Sequence, residues 1–215
     1  MIEAVNKGVF PRLIESLLKG DVICEFTDEL AYRYLEEPRH IQEVDSYLRR
    51  IGRVLKSTQD QSAYYCGYYE INNPAARVQV KRQFNEAMND MEPLVRWLRL
   101  ASAAQSNSAP LRPGDTLRGS ELLEAIESAP ALTQELERLS RTRMFSNAST
   151  GAKKQLDAIL KKLLDNKYLV SRGTSGSVFV ATGKWGRLYE VLQFIASHER
   201  LDSDEDEPEQ TELLS

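Results

Sequence analysis

Leu156, Ile159, Leu160, Leu163 and Leu164 recur at i, i+3, i+4, i+7 and i+8, a stripe that an α-helix presents on one side and that has to be covered to leave water. Ser149 or Thr150 is placed to open this helix. Two β-rich runs follow at once, Tyr168 to Ser171 and Val178 to Ala181, around Arg172, Gly173, Thr174, Ser175, Gly176 and Ser177. The glycines of that insert accept the positive φ that a hairpin turn demands. Gly183 reads as the end of the second strand, and Leu188, Val191, Leu192 and Ile195 mark a last helix from about Lys184 to His198. A helix feeding a hairpin in this way predicts the core of a winged-helix domain, with the glycine-containing loop as its wing.

The same pattern occurs earlier in the chain. Phe10, Leu13, Ile14, Leu17 and Leu18 follow Pro11, which is suited to open a helix, and Gly20 closes it. Val22, Ile23 and Phe26 read as an extended link, and Thr27 or Asp28 as the cap of a second helix through Leu30, Ala31, Tyr34 and Leu35 that Pro38 stops. Ile41, Val44, Leu48 and Ile51 form the apolar face of a third helix. After Gly52, the runs Val54 to Lys56 and Ala63 to Ile71 flank the polar turn Ser57 to Ser62, as in a hairpin.

Between the two patterns, Val80, Phe84, Met88, Met91, Val95 and Leu98 keep helical spacing from Pro74 to about Ala104, with Pro93 as an expected break or kink. This arm is placed to supply the first helix of the second unit. Gln105 to Asp115 reads as a loop; Leu117, Leu122, Leu123 and Ile126 are assigned to one helix, and Leu132, Leu136 and Leu139 to another. The expected class is therefore mainly α with small β-hairpins (α+β). The division is a winged-helix domain over residues 1–73, a helical arm over 74–104, a second winged-helix domain over 105–200 and a disordered acidic tail over 201–215.

Charge and composition narrow the function. Asp202, Asp204, Glu205, Asp206, Glu207, Glu209 and Glu212 crowd the tail, so the formal net charge of −4 leaves the remainder close to neutral. A protein basic all over is excluded. No apolar run approaches the ~20 residues that span a bilayer, and Met1 to Phe10 lacks the form of a leader, so a cytoplasmic protein is expected. Cys24 and Cys66 read as reduced thiols, with no disulfide, zinc site or cofactor.

Catalytic chemistry finds little support. His40 and His198 fall in separate helical segments, both expected on helix surfaces, and Glu36 and Glu37 read as solvated. Gly173 to Gly176 with Gly183 and Lys184 lacks the spacing of a phosphate-binding loop, and Trp185 stands where Ser or Thr would hold magnesium. Basic residues instead gather where a winged helix meets DNA: Lys153, Lys154, Lys161 and Lys162 on the helix, Arg141 and Arg143 before it, Lys167 and Arg172 after it. Such a set suits phosphates and does not read bases. Asp157 and Asp165 interrupt it, so a merely solvated helix face is the competing account. Arg49, Arg50, Arg53 and Lys56 form a second candidate. Tyr64, Tyr65, Tyr68 and Tyr69 alternate on a two-residue period, so one pair fills a core and the other is available. Tyr64 and Tyr68, with Phe84, Met88 and Met91 on the arm, are the candidate contacts for a second copy or a partner protein.

Gly20-Asp-Val-Ile-Cys, Glu29-Leu-Ala-Tyr-Arg-Tyr-Leu and the helix through Tyr47-Leu48 to Ile51-Gly52 resemble the MukE/MksE family, MksE most of all, over about Val9 to His198. These are accessory subunits of bacterial SMC-like condensin complexes. The resemblance implies a non-enzymatic, homodimeric, nucleoid-associated subunit. It would bind the kleisin MksF and, through the complex with the SMC-like ATPase MksB, assist the entrapment of double-stranded DNA for chromosome organisation or plasmid defence, with a nuclease partner in the wider assembly. The rival is a free-standing winged-helix transcription regulator, which would read base edges in the major groove. A small hydrolase is a third.

Overall fold

A computed structural model describes residues 2–69, 74–105, 109–146, 150–173 and 177–205. Its helices dominate, and two small antiparallel sheets complete an α+β architecture. The first half runs α1 (Ile2–Leu18), β1 (Ile23–Cys24), α2 (Glu29–Tyr34), α3 (Pro38–Arg49), β2 (Arg53–Ser57) and β3 (Ala63–Tyr68). The second runs α4 (Pro74–Ala104), β4 (Thr116–Arg118), α5 (Gly119–Ser128), α6 (Pro130–Ser140), α7 (Ala152–Asp165), β5 (Leu169–Arg172), β6 (Val178–Ala181) and α8 (Lys184–Glu205). Both sheets have the same order, β1-β3-β2 and β4-β6-β5, in which a short strand pairs with the far strand of the following hairpin. The halves differ in that α5 and α6 stand where the first has only α2.

Local chemistry accounts for most boundaries. Asp28 caps α2 by accepting the Ala31 N–H at 3.1 Å. Thr27, the alternative cap, is held elsewhere: its hydroxyl donates to the Val22 carbonyl and accepts the Cys24 N–H. Pro38 sits in the first turn of α3, where its missing N–H costs nothing, rather than ending α2. Gly52, at φ +71°, turns α3 into β2.

Several expectations are corrected. Pro11 lies inside α1, which begins well before it. Ile23 is more than a link, since Ile23 and Cys24 pair with Tyr64 and Ala63. Ile51 falls beyond α3 and is exposed. Leu117 belongs to a strand, opposite Phe179, because its neighbours complete the ladder to β6. Gly151, at φ +88°, precedes α7 in place of a side-chain cap, and Ser149 lies outside the described residues. Pro93 does not break α4, which continues through it. His40 is buried, stacked on Tyr34 at 3.8 Å, and its Nδ1 donates to the Tyr34 carbonyl at 2.9 Å; the His198 side chain is outside the described residues. α8 reaches Glu205, so 201–205 are helical rather than part of a tail, since lengthening an existing helix adds a hydrogen bond for each residue ordered. The remaining acidic residues, the end of the first hairpin at Ile71 and the wing residues 174–176 lie outside the described residues.

Two cores result. Leu13, Leu17, Ile23, Leu35, Val44 and Leu48 build the first. Trp97, Leu117, Leu122, Leu136, Leu139, Phe145, Ile159, Leu163 and Trp185 build the larger second one, so the C-terminal part of α4 is an integral helix of the second half.

Strand alternation joins them. Ile23, Tyr64 and Cys66 face the first core, whereas Cys24, Ala63 and Tyr65 face the other way with Val22 and Phe26. Cys24 and Ala63 are register partners, and the Gly183 backbone rests on both, its N–H donating to Cys24 Sγ at 3.3 Å. A Cβ at Gly183 would overlap the Ala63 methyl. Phe26 likewise packs against Gly114.

Gly183→Val is therefore expected to destabilise the chain by about 1–3 kcal/mol through overpacking, read as a lower midpoint in chemical denaturation. Ala63→Gly in the same chain should recover part of the loss, and a double-mutant cycle measures the coupling.

Candidate functional site

α7 positions the basic residues. Leu156, Ile159, Leu160 and Leu163 are buried on one side, which turns Lys153, Lys154, Lys161 and Lys162 to solvent on the other. Asp157 and Asp165 are exposed on that same side. Among the described residues none of these four lysines comes within ion-pair distance of a carboxylate. Arg143 and Arg172 are exposed as well. Arg141 is exposed and stands 4.0 Å from Glu137, a separation that contributes little to stability. The helix, the segment before it and the hairpin after it thus carry seven of the eight expected basic residues with their charges in solvent.

Lys167 is the exception. It ends the turn after α7 at φ +58°, a left-handed conformation in which a side chain with a Cβ is disfavoured. Two contacts hold it there: its N–H donates to the Leu164 carbonyl at 2.8 Å, and its carbonyl accepts the Thr182 hydroxyl at 2.7 Å. Its ammonium reaches Asp21 of the first half at 2.7 Å, with side-chain exposures of 53% and 23%.

The joint between the halves continues along α8. Glu190 accepts the Gln59 N–H at 2.5 Å and the Tyr65 hydroxyl at 3.4 Å, and the Arg187 guanidinium lies 4.6 Å from the centre of the Tyr65 ring. The first hairpin's turn, Ser57 to Ser62, is consequently applied to α8, with Gly186 close to the Thr58 methyl. Nearby, Lys184 donates to the Asn166 carbonyl at 2.8 Å and lies over Tyr168 at 4.5 Å. Burial, aided by Arg187, lowers the Lys184 pKa. Burial also pushes the Tyr168 hydroxyl up to about 12, with Asp90 adding and Arg187 opposing.

The aromatic candidates divide. Tyr64 packs on the first core beside Tyr32, and Tyr65 faces α8. Tyr68 is covered by Arg53 at 3.6 Å and Tyr69 by Arg49 at 4.4 Å, so the second basic candidate is partly engaged with its own hairpin; Arg49 also pairs with Asp45. On α4, Phe84 and Met88 are exposed at 43% and 38%, whereas Met91, at 7%, belongs to the second core. Their spacing continues into Val95 and Leu98, so one apolar line starts in solvent and ends inside the protein. The sequence reading missed Asp21, Arg187 and Glu190. The available signal was the small outward pair Cys24 and Ala63 with Gly183 and Gly186 around Trp185.

Because Tyr168 resists ionisation in the folded state, the stability it contributes is intact below pH ~10 and is lost as pH rises towards 12. Tyr168→Phe should flatten that alkaline fall by up to roughly 3 kcal/mol, measured as denaturation midpoints across the range.

Residues 9–182 match the family described as condensin complex protein MksE. No curated protein matches the chain.

Proposed function

The chain belongs to the MksE family of condensin complex proteins, and from that membership we propose that it is the accessory subunit of an MksBEF-type SMC–kleisin complex. Each half is a winged-helix unit, one over 1–73 and one over 105–200 that takes the C-terminal part of the 74–104 arm as its first helix; the repeated order of a helix, a short strand, further helices and a hairpin supports this. Its partner is the kleisin MksF. The SMC-like ATPase MksB, which supplies the energy, and any nuclease of the wider assembly act with it through the complex. Its work is chromosome organisation or plasmid defence at the nucleoid.

The observation that carries the DNA part is the set of exposed lysines on α7, none of them paired with a carboxylate among the described residues. Lys153, Lys154, Lys161 and Lys162, with Arg141, Arg143 and Arg172, would lie on the phosphates of double-stranded DNA and release counterions without reading bases. Phe84 and Met88, on the exposed part of α4, are the proposed contact with a second copy; Met91 is excluded by its burial, and Tyr64 is largely used by the first core. Among the described residues, no helix is long and apolar enough to cross a membrane.

Reversing the four α7 lysines to glutamate is expected to weaken binding to unrelated duplexes alike and to flatten the dependence of affinity on salt, measured by fluorescence anisotropy. Unchanged binding rejects the surface. Affinity capture from the native host should recover the kleisin and the SMC-like ATPase. Recovery of neither, with tight binding to one operator, favours a transcription regulator. Phe84→Glu with Met88→Glu should turn a dimer into a monomer by light scattering while the fold, anchored by Met91 onward, is retained.

A further inference from the structure

Asp21 and Lys167 form an ion pair between the two halves, beside the seam where Gly183 covers Cys24. Lys167 is also continuous with the basic face: it follows α7 directly and precedes the hairpin that carries Arg172. Its backbone is kept in a disfavoured left-handed conformation by Thr182 and the end of α7, and strain maintained by its surroundings is an observation from which a role can be argued. The Lys167 side chain is half exposed, so another anion can reach it without unfolding the turn.

We infer that a polyanion seated on the α7 face competes with Asp21 for Lys167 and thereby loosens the contact between the halves. This rests on the phosphate-binding surface proposed above. Other contacts across the seam include the Gly183 approach, Phe26 on Gly114, Gly186 beside Thr58, Glu190 with Gln59 and Tyr65, and Arg187 over Tyr65. A ligand that prefers the state with Lys167 released shifts the population by its differential affinity alone. Linkage runs both ways: removing Asp21 must tighten the polyanion.

Cys24 supplies the reporter, since it is fully buried under Gly183 and becomes accessible when the seam opens. The full chain carrying Cys66→Ser leaves Cys24 as the sole thiol, and its labelling by a small aromatic disulfide is followed with and without a short DNA duplex. Anisotropy on the same samples records binding. An exposed ion pair changes an opening equilibrium by roughly two- to fivefold. A saturating duplex should accelerate labelling by that factor, with a rate insensitive to low urea, as local opening exposes little surface. Asp21→Asn should accelerate labelling equally without duplex, abolish the further effect of duplex and bind it more tightly. Asp165→Asn also removes a carboxylate from the basic face but makes no cross-half pair; it should tighten binding and leave basal labelling unchanged. Duplex binding with unaltered Cys24 labelling overturns the coupling while leaving the DNA surface standing. Absence of duplex binding overturns both, and Asp21→Asn with wild-type labelling removes the ion pair as a tie between the halves.

Discussion

The close approach of the Gly183 backbone to Cys24 and Ala63 is the contact on which the arrangement of the two halves depends. A glycine opposite two small side chains lets a main chain pass at a distance that a Cβ forbids. Because Cys24 and Ala63 are register partners on adjacent strands, their two small side chains lie together beneath it. The Gly183 N–H is satisfied by Cys24 Sγ, so burial of this backbone does not strand a donor. Around this close approach the ties are polar: Asp21 with Lys167, and Glu190 with the first hairpin.

That seam makes two sheets of identical strand order play different parts. The turn of the first hairpin lies against α8, where Glu190 takes the Gln59 N–H. In the second hairpin, Arg172 and Gly173 remain in solvent. In the first half α3 carries Arg49 paired with Asp45, whereas the lysines of α7 have no carboxylate partner among the described residues. Duplication of a topology has therefore not duplicated a surface, and the cluster of exposed lysines on one helix face belongs to the second half.

α4 shows the same division within one element. Its apolar line is exposed at Phe84 and Met88 and buried from Met91 onward. The buried part needs no help from another chain, since Trp97, Leu94 and Leu100 anchor it in the second core. The exposed part has no covering element among the described residues, as a helix presenting a contact face outward requires.

Periodicity alone determined much of this protein. The stripes of α3, α6 and α7, the two hairpins, the long α4 and the family resemblance are all local in sequence, and local spacing is what decides whether a segment has one apolar side. The basic face of α7 was legible for the same reason, since burying one side of a helix fixes the other. What only the tertiary structure decided involves partners far apart in the chain. Leu117 became a strand residue because Phe179 lies opposite it, and Ile23 and Cys24 became a strand because Tyr64 and Ala63 do. His40 was drawn inside by the ring and carbonyl of Tyr34. Gly183 looked like the end of a strand, and its distinctive property, the absence of a Cβ, acquires meaning only when Ala63 is folded against it. A contact between residues more than a hundred positions apart leaves no period in either segment, which is why the seam was invisible until the chain was folded.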